Sequence, residues 1–279
     1  MNKILIVAKH TFMTNFATKW FLVTTLIPIF TDFFILRSNK IFNDFLLFTN
    51  HLNPRNVIAL IIPVIAAYFC ILYSSIIANE VVNDRTARIN ELLFAMSSAR
   101  IQLIGKIVGL YVLLIIQLAM LTVATIFLAE WQRHFSLYIP SIFDAIYFIF
   151  NILFATFFGL IWTVQIAVCI DDNTQTALAV IPVTLIYLQA AGLAISFALT
   201  PGKMSFGIAR IVLDCVGIIP GIGSILMPVL YYAQNFPLIE VIVSVIGEIL
   251  IGKFLYKRAI KKYSVKALAH SNKKTNKWI

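Results

Sequence analysis

The sequence predicts an all-α integral membrane protein, and three observations carry that prediction. Of its 279 residues 61% are hydrophobic and 12% charged, with a mean hydropathy of +0.92, whereas a soluble domain needs about 25% charged residues to cover its surface. The apolar residues gather into runs of the roughly 17–25 residues that a bilayer-spanning helix requires. No segment alternates polar and apolar positions over about 10 residues, the pattern of a barrel strand, and 23 Phe against 11 Gly suit lipid-facing helices. The predicted architecture is six transmembrane helices, an N-terminal interfacial helix, a cytoplasmic amphipathic helix after the second span, and an outer re-entrant hairpin before the last.

Met1–Lys19 sets Ile4, Ala8, Phe12 and Phe16 four apart, with Lys3, Lys9, His10 and Lys19 available for headgroups. That pattern suits a helix over residues 1–19 lying on the inner leaflet; a plain basic lead into the first span is the other reading. The first span, Trp20–Leu36, is short and carries Pro28 and Asp32. No small-residue cleavage pattern follows it, so it reads as an uncleaved span rather than a signal peptide. The remaining spans are expected at Asn56–Asn79, Ile107–Leu128, Ile146–Ile170, Ala177–Leu199 and Leu238–Leu255.

A seventh apolar run, Ile211–Leu230, contains Asp214, Gly217, Pro220, Gly221, Gly223 and Pro228, poor company for a straight helix. Charge decides its status. With six spans and both ends inside, sixteen Lys and Arg are cytoplasmic and six outside; a full crossing by this run would leave seven inside and fifteen outside, against the positive-inside bias. Residues 208–232 are therefore expected to form two half-helices that dip in and return on the outer side, buried in protein or facing a water-filled cavity.

Between the second and third spans, Glu80–Lys106 (EVVNDRTARINELLFAMSSARIQLIGK) reads as a charged amphipathic helix. Val82, Ile89, Leu92, Leu93 and Met96 share one side, and Asp84 stands four residues before Arg88, the spacing of a favourable pair. Such a helix lies on a membrane or offers its face to a partner. The tail from Lys257 to Lys277 is basic and apolar-poor after Leu268, so it is expected to be disordered or lipid-attracted. A net charge of +10 is then explained by inner-leaflet positioning, which argues against nucleic-acid binding.

Several chemistries lack their residues. Cys70, Cys169 and Cys215 have neither metal-ligand spacing nor a disulfide framework and are expected to pack as small hydrophobes. The phosphate-cradling loop G-x-x-x-x-G-K-[ST] is missing: Gly105-Lys106 is followed by Ile107 and Gly202-Lys203 by Met204. His10, His51, His134 and His270 all fall in predicted loops or at the ends, away from the spans where an intramembrane protease would need them. The chain is not expected to be an enzyme.

Polar residues inside spans are the other functional candidates, because a central Asp costs about 2.5–3.5 kcal/mol on insertion scales unless it faces protein or water. Asp32, Gln117, Asn151, Gln165, Gln189, Glu240 and Glu248 are therefore expected to face inward. Glu248, near the middle of the last span, is the leading candidate for a cation-binding or proton-linked carboxylate, with a structural hydrogen bond or charge pair as the alternative. Gly105–Gly109 and Gly217–Gly221 are small-xxx-small spacings that allow close helix approach.

The run Ile77–Lys106, with Glu80, Arg85, Thr86, Glu91-Leu92-Leu93, Ser97-Ser98 and Gly105-Lys106, resembles the signature of ABC type-2 exporter permeases of the sodium-extrusion and antibiotic-efflux branch. The six spans, amphipathic N-terminal helix, outer hairpin and basic tail are similar to that family as well, and Ile219–Ala233 is similar to its proline-bearing outer segment. Arg37–Arg55 is only a short loop, where many members carry a large extracellular domain, so the likeness is to the compact form.

The resemblance implies that residues 1–260 form one permease domain, with 261–279 a basic cytoplasmic tail. It implies a homodimer or a heterodimer with a similar permease, in the bilayer, recruiting a separate ABC ATPase subunit. ATP and Mg would be bound by that ATPase, with no cofactor on this chain. Residues 80–99 would be the coupling helix, with Ile89, Leu92, Leu93 and Met96 as apolar anchors and Glu80, Arg85, Arg88 and Glu91 setting orientation. The implied location is a bacterial cell membrane with both termini cytoplasmic, and Lys, Ile, Phe and Asn usage suggests an AT-rich bacterial genome. A drug, a peptide antibiotic, a lipid and sodium all remain open as cargo. The alternative class is a motor-free carrier or channel using Asp32 and Glu248.

Overall fold

In the computed structural model, residues 3–37, 54–86, 98–131, 142–170, 172–200 and 208–275 are described. Among these, every regular element is helical: α1 (Lys3–Phe16), α2 (Lys19–Arg37), α3 (Pro54–Thr86), α4 (Ala99–Trp131), α5 (Ile142–Ala167), a 3-10 turn (Asn173–Gln175), α6 (Ala177–Leu199), α7 (Ile208–Gly217), α8 (Gly223–Ala233) and α9 (Leu238–Thr275). Four segments are long and apolar enough to cross a membrane: Ala59–Asp84, Ala99–Leu128, Ile146–Ala167 and Asn173–Leu199, of 22 to 30 residues each. The two other expected spans differ in composition or length. α2 has 19 residues, and the apolar part of α9 carries Glu240, Glu248 and Lys253.

α3 is the central helix, packed against α5, α6 and α8; α1 and α2 lie against α4, and α9 packs on α5 and α8 while reaching α4. The core at its centre is built from Phe69, Tyr73 and Ile77 of α3, Leu110 and Leu114 of α4, Leu160 of α5 and Tyr187 of α6. Polar side chains join these helices one to another. Tyr73 donates to Gln117 Oε1 (3.0 Å), Tyr111 to the Leu153 carbonyl (2.5 Å), Tyr187 to the Ala155 carbonyl (2.8 Å) and Tyr68 to the Thr24 carbonyl (2.5 Å). Helices that share a lipid-like environment gain nothing from hydrophobic burial against each other, so such bonds and close packing hold them together.

The predicted boundaries shift where helix propensity outruns the hydropathy. α3 runs through Glu80 to Thr86 without a break, so Glu80–Thr86 is the last part of the second long helix rather than the start of a separate amphipathic one. α4 already begins at Ala99, eight residues before the apolar run. α9 continues past Leu255 to Thr275 as one helix, which corrects the disordered one of the two readings of the tail and does not bear on the lipid-attracted one. Neither Gly nor Pro interrupts it between Lys253 and Thr275, and Lys, Arg, Ala and Leu there propagate a helix once it has started.

The run Ile211–Leu230 does not form one helix. α7 ends at Gly217, a turn follows, and α8 starts at Gly223. Gly221 sits at φ +87 with the Tyr187 hydroxyl 2.2 Å from where a Cβ would stand, so both backbone and space demand glycine. α8 occupies the middle of the bundle between α3, α5, α6 and α9, and ten of its eleven residues are buried.

Candidate functional site

The site begins with where α3 ends and α4 starts. Glu80 and Asp84 are one helical turn apart on α3, and Lys106 stands two turns into α4, so the three meet when the two helices return side by side. Lys106 Nζ bonds Asp84 Oδ2 and lies 3.6 Å from Glu80 Oε2. The Lys106 side chain is 7% exposed, Glu80 16% and Asp84 19%. Glu80 is also met by a fourth residue, as Asn15 of α1 donates to its Oε1 at 2.5 Å. Tyr263 of α9, fully buried, faces the same charges; burial pushes its phenol up to about 12, with Lys106 pulling the other way.

Four helices thus converge on one buried ion cluster. Two carboxylates against one ammonium would leave an excess negative charge, and the Asn15 amide supplies a further donor to it. α1 is brought there by glycine. A Cβ on Gly105 would stand 2.5 Å from Val7 Cβ, and one on Gly109 would stand 2.6 Å from the Ala8 carbonyl oxygen. The Gly105–Gly109 spacing is therefore the seat of α1, which explains why Ala8 and Thr11 are its buried residues. α1 uses most of the predicted stripe: Ala8 is buried and Ile4 and Phe12 are half-buried, while Phe16 is exposed, and the docked face is widened by Thr11 and, one turn on, Asn15.

The predicted site residues divide sharply. Glu80 is in the cluster. Asp84 bonds Lys106, and its expected pair with Arg88 falls outside the described residues. Arg88, Ile89, Glu91, Leu92, Leu93 and Met96 lie outside the described residues, and for Arg85 only the backbone, in the last turn of α3, is described. The sequence reading missed Asn15, Lys106 as the shared partner, and Tyr263. The available signal was a lysine entering one apolar run opposite two carboxylates leaving the previous one.

The intramembrane polar candidates are mostly accounted for by packing. Gln117 accepts from Tyr73, buried Asn151 donates to the Tyr147 carbonyl (2.7 Å), and half-buried Gln165 donates to the Leu255 carbonyl (3.4 Å). Glu240 pairs with Arg210 of α7. Asp32 lies in α2, its side chain outside the described set. Gln189 is the exception to the expected inward orientation: it is exposed on α6. The cysteines also split, with Cys70 buried and Cys169 and Cys215 exposed.

Glu248 has a structural use. Its Oε1 accepts the Ser224 backbone N–H at 2.7 Å and its Oε2 accepts the Ser224 hydroxyl at 2.6 Å. α8 has no side-chain cap of its own at Ile222, so a carboxylate from α9 serves as its N-terminal cap, where the helix dipole favours negative charge. The approach is so close that a Cβ on Gly223 would stand 2.5 Å from Glu248 Oε1 and 1.8 Å from the Gly217 carbonyl oxygen. Asp172, on the loop before α6, caps in the same way: the Thr174 N–H it accepts at 3.0 Å holds its carboxyl below the ordinary value.

Neither the models of known protein families nor the curated proteins contain a match to this chain.

Proposed function

We propose that this chain is the transmembrane permease subunit of an ATP-binding-cassette exporter, and that residues 80–99 couple it to a separate ATPase. The observation that carries this reading is the clamp of Lys106 on Asp84 and Glu80. It ties the foot of α3 to the foot of α4 on either side of the segment bearing Ile89, Glu91, Leu92, Leu93 and Met96. A push on that segment would therefore move α3 and α4 together rather than splaying them, and Asn15 would carry the displacement to α1. Rigid-body movement of this kind is how a remote motor switches access between two sides.

In this reading α2 and the apolar part of α9 also cross the bilayer, giving six spans in a bacterial cell membrane with both termini in the cytoplasm. α7 and α8 form the hairpin that enters from the outer side, its irregular backbone shielded by the surrounding helices. The carrier reading is weaker, because Glu248, its central carboxylate, has both oxygens engaged by Ser224. The resemblance of Ile77–Lys106 to the exporter permeases supports the same choice.

The test is co-purification of tagged chain, expressed in its own host, with an ABC ATPase subunit. Leu92→Asp with Leu93→Asp is expected to abolish the association while leaving the melting temperature of the detergent-solubilised chain unchanged. Association that survives both substitutions overturns the docking role of this segment. Modification of Glu91→Cys by an impermeant reagent added to intact cells would place the segment on the wrong side of the membrane.

A further inference from the structure

We propose that the inner end of α9 is a binding surface for anionic phospholipid headgroups, formed by Lys253, Lys257, Arg258 and Lys261. The inference rests on α9 leaving the bilayer on the cytoplasmic side, as in the permease reading, and needs neither an ATPase nor a cargo.

α9 keeps one face outward along its length. Val243, Ile246 and Leu250 are exposed on it. One turn further on, the same face changes chemistry: Lys253, Lys257 and Lys261 follow at spacing four with Arg258 beside them, all exposed. Phe254 and Val265, 64% and 57% exposed, share this stripe. The opposite face carries buried Gly252, Ala259 and Tyr263, and Tyr263 stands at the Lys106 cluster. A helix that turns apolar side chains and then cations to the same side meets the headgroup layer where the change occurs.

Helix length fixes the level. From Leu238 to Gly252 the helix rises about 22 Å at ~1.5 Å per residue, short of the roughly 30 Å hydrocarbon core. Even with Leu238 at the outer edge of that core, Lys253 stands at the inner headgroup boundary rather than out in water. Lys257 and Arg258 follow within about 8 Å, so three cations lie at the depth of lipid phosphates and Lys261 just beyond.

Side chains of the same chain are too few to cover these charges. None of the four has a side-chain hydrogen bond or ion pair among the described residues. The sequence holds twelve acidic residues. Glu80 and Asp84 belong to Lys106, Glu240 to Arg210 and Glu248 to Ser224, and Asp172 caps Thr174. Of the others, Glu91 and Asp171 alone fall between spans on the side where α9 ends, two carboxylates against four cations.

The occupant follows from charge. A phosphodiester offers acceptor oxygens to Lys and Arg, and its acyl chains continue along the apolar part of the same face at Leu250 and Phe254. A zwitterionic headgroup neutralises its own phosphate; an anionic one brings the net negative charge that the stripe lacks. α9 is then held between lipid on one face and the Lys106 cluster on the other.

The experiment records hydrogen exchange of the full chain in nanodiscs of phosphatidylcholine, with and without phosphatidylglycerol. Residues 253–265 are expected to exchange more slowly when phosphatidylglycerol is present, with Ala177–Leu199 of α6 the same in both. The variant K253Q/K257Q/R258Q/K261Q keeps good helix formers and is expected to abolish the difference while leaving α6 exchange intact; K3Q/K9Q, which removes cations from α1, is expected to keep it. In native mass spectrometry, retention of phosphatidylglycerol is expected to fall about fivefold for each cation removed from α9. An undiminished difference in the fourfold variant overturns the proposal, as does its equal loss in K3Q/K9Q. Slowing by inorganic phosphate in phosphatidylcholine discs overturns the choice of a lipid, and slowing that requires an added ATPase subunit overturns it in favour of a protein. A chain that answers to phosphatidylglycerol yet never binds an ATPase sinks the permease reading and leaves this surface standing.

Discussion

The ammonium of Lys106, two turns into α4, is bonded to the carboxylate of Asp84 at the foot of α3, 22 residues earlier in the chain. Glu80 and Asn15 complete the cluster from α3 and α1. Removing one member of a buried pair strands the others, a loss of about 3–5 kcal/mol. Lys106→Met is therefore expected to destabilise the folded chain strongly, and Lys106→Arg much less. The check is the thermal midpoint in detergent; a Lys106→Met chain as stable as the parent would refute the clamp.

Asn15 makes a narrower prediction. Asn15→Ala removes one donor to a carboxylate that Lys106 still faces, a loss of about 1.5–3 kcal/mol for a charged hydrogen bond. Its effect is local: faster proteolysis within Lys3–Phe16, with the remainder of the chain protected as before.

Gly105 and Gly109 seat α1 on α4. Substitution of either by Leu pushes Val7 or the Ala8 backbone away, and backbone cannot yield as a flexible side chain does. Hydrogen exchange in α1 is expected to rise sharply for Gly109→Leu, while Gly192→Leu leaves α1 exchange unchanged.

Glu248 and Ser224 give a test of the cap. Glu248→Gln keeps an acceptor for the Ser224 N–H and is expected to be mild; Glu248→Leu leaves a buried N–H and hydroxyl unbonded, at about 1–3 kcal/mol each. Equal destabilisation by the two substitutions would show that charge, not hydrogen bonding, is what α8 needs.

Gly221→Ala is expected to be more damaging than Gly192→Ala, because φ +87 disfavours any side chain and the Tyr187 hydroxyl fills the space. Comparing the yields of folded, monodisperse protein for the two variants measures the difference.

Much of the helical layout was legible because apolar run length is a local property. Ala177–Leu199 coincides with α6, and the interruption of Ile211–Leu230 follows from Gly217, Pro220, Gly221 and Gly223. Boundaries failed where charged residues carry a helix on: α3 includes Glu80 and Asp84, and α9 reaches Thr275, since lysine and glutamate are good helix formers whether or not they are apolar. Of the site, Glu80 was recognisable, but its partners were not, because Asn15, Asp84, Lys106 and Tyr263 are separated by up to 248 residues in sequence and only packing brings them together.

Composition and run length alone determined that this is a helical membrane protein, because hydropathy sums over neighbours in the chain. Which carboxylate caps a helix, which lysine clamps α3 to α4, and which glutamine faces away from the core were decided only in three dimensions. Those outcomes depend on the rotation of each helix about its axis, and that rotation is chosen by contacts such as Val7 on Gly105 and Ser224 on Glu248.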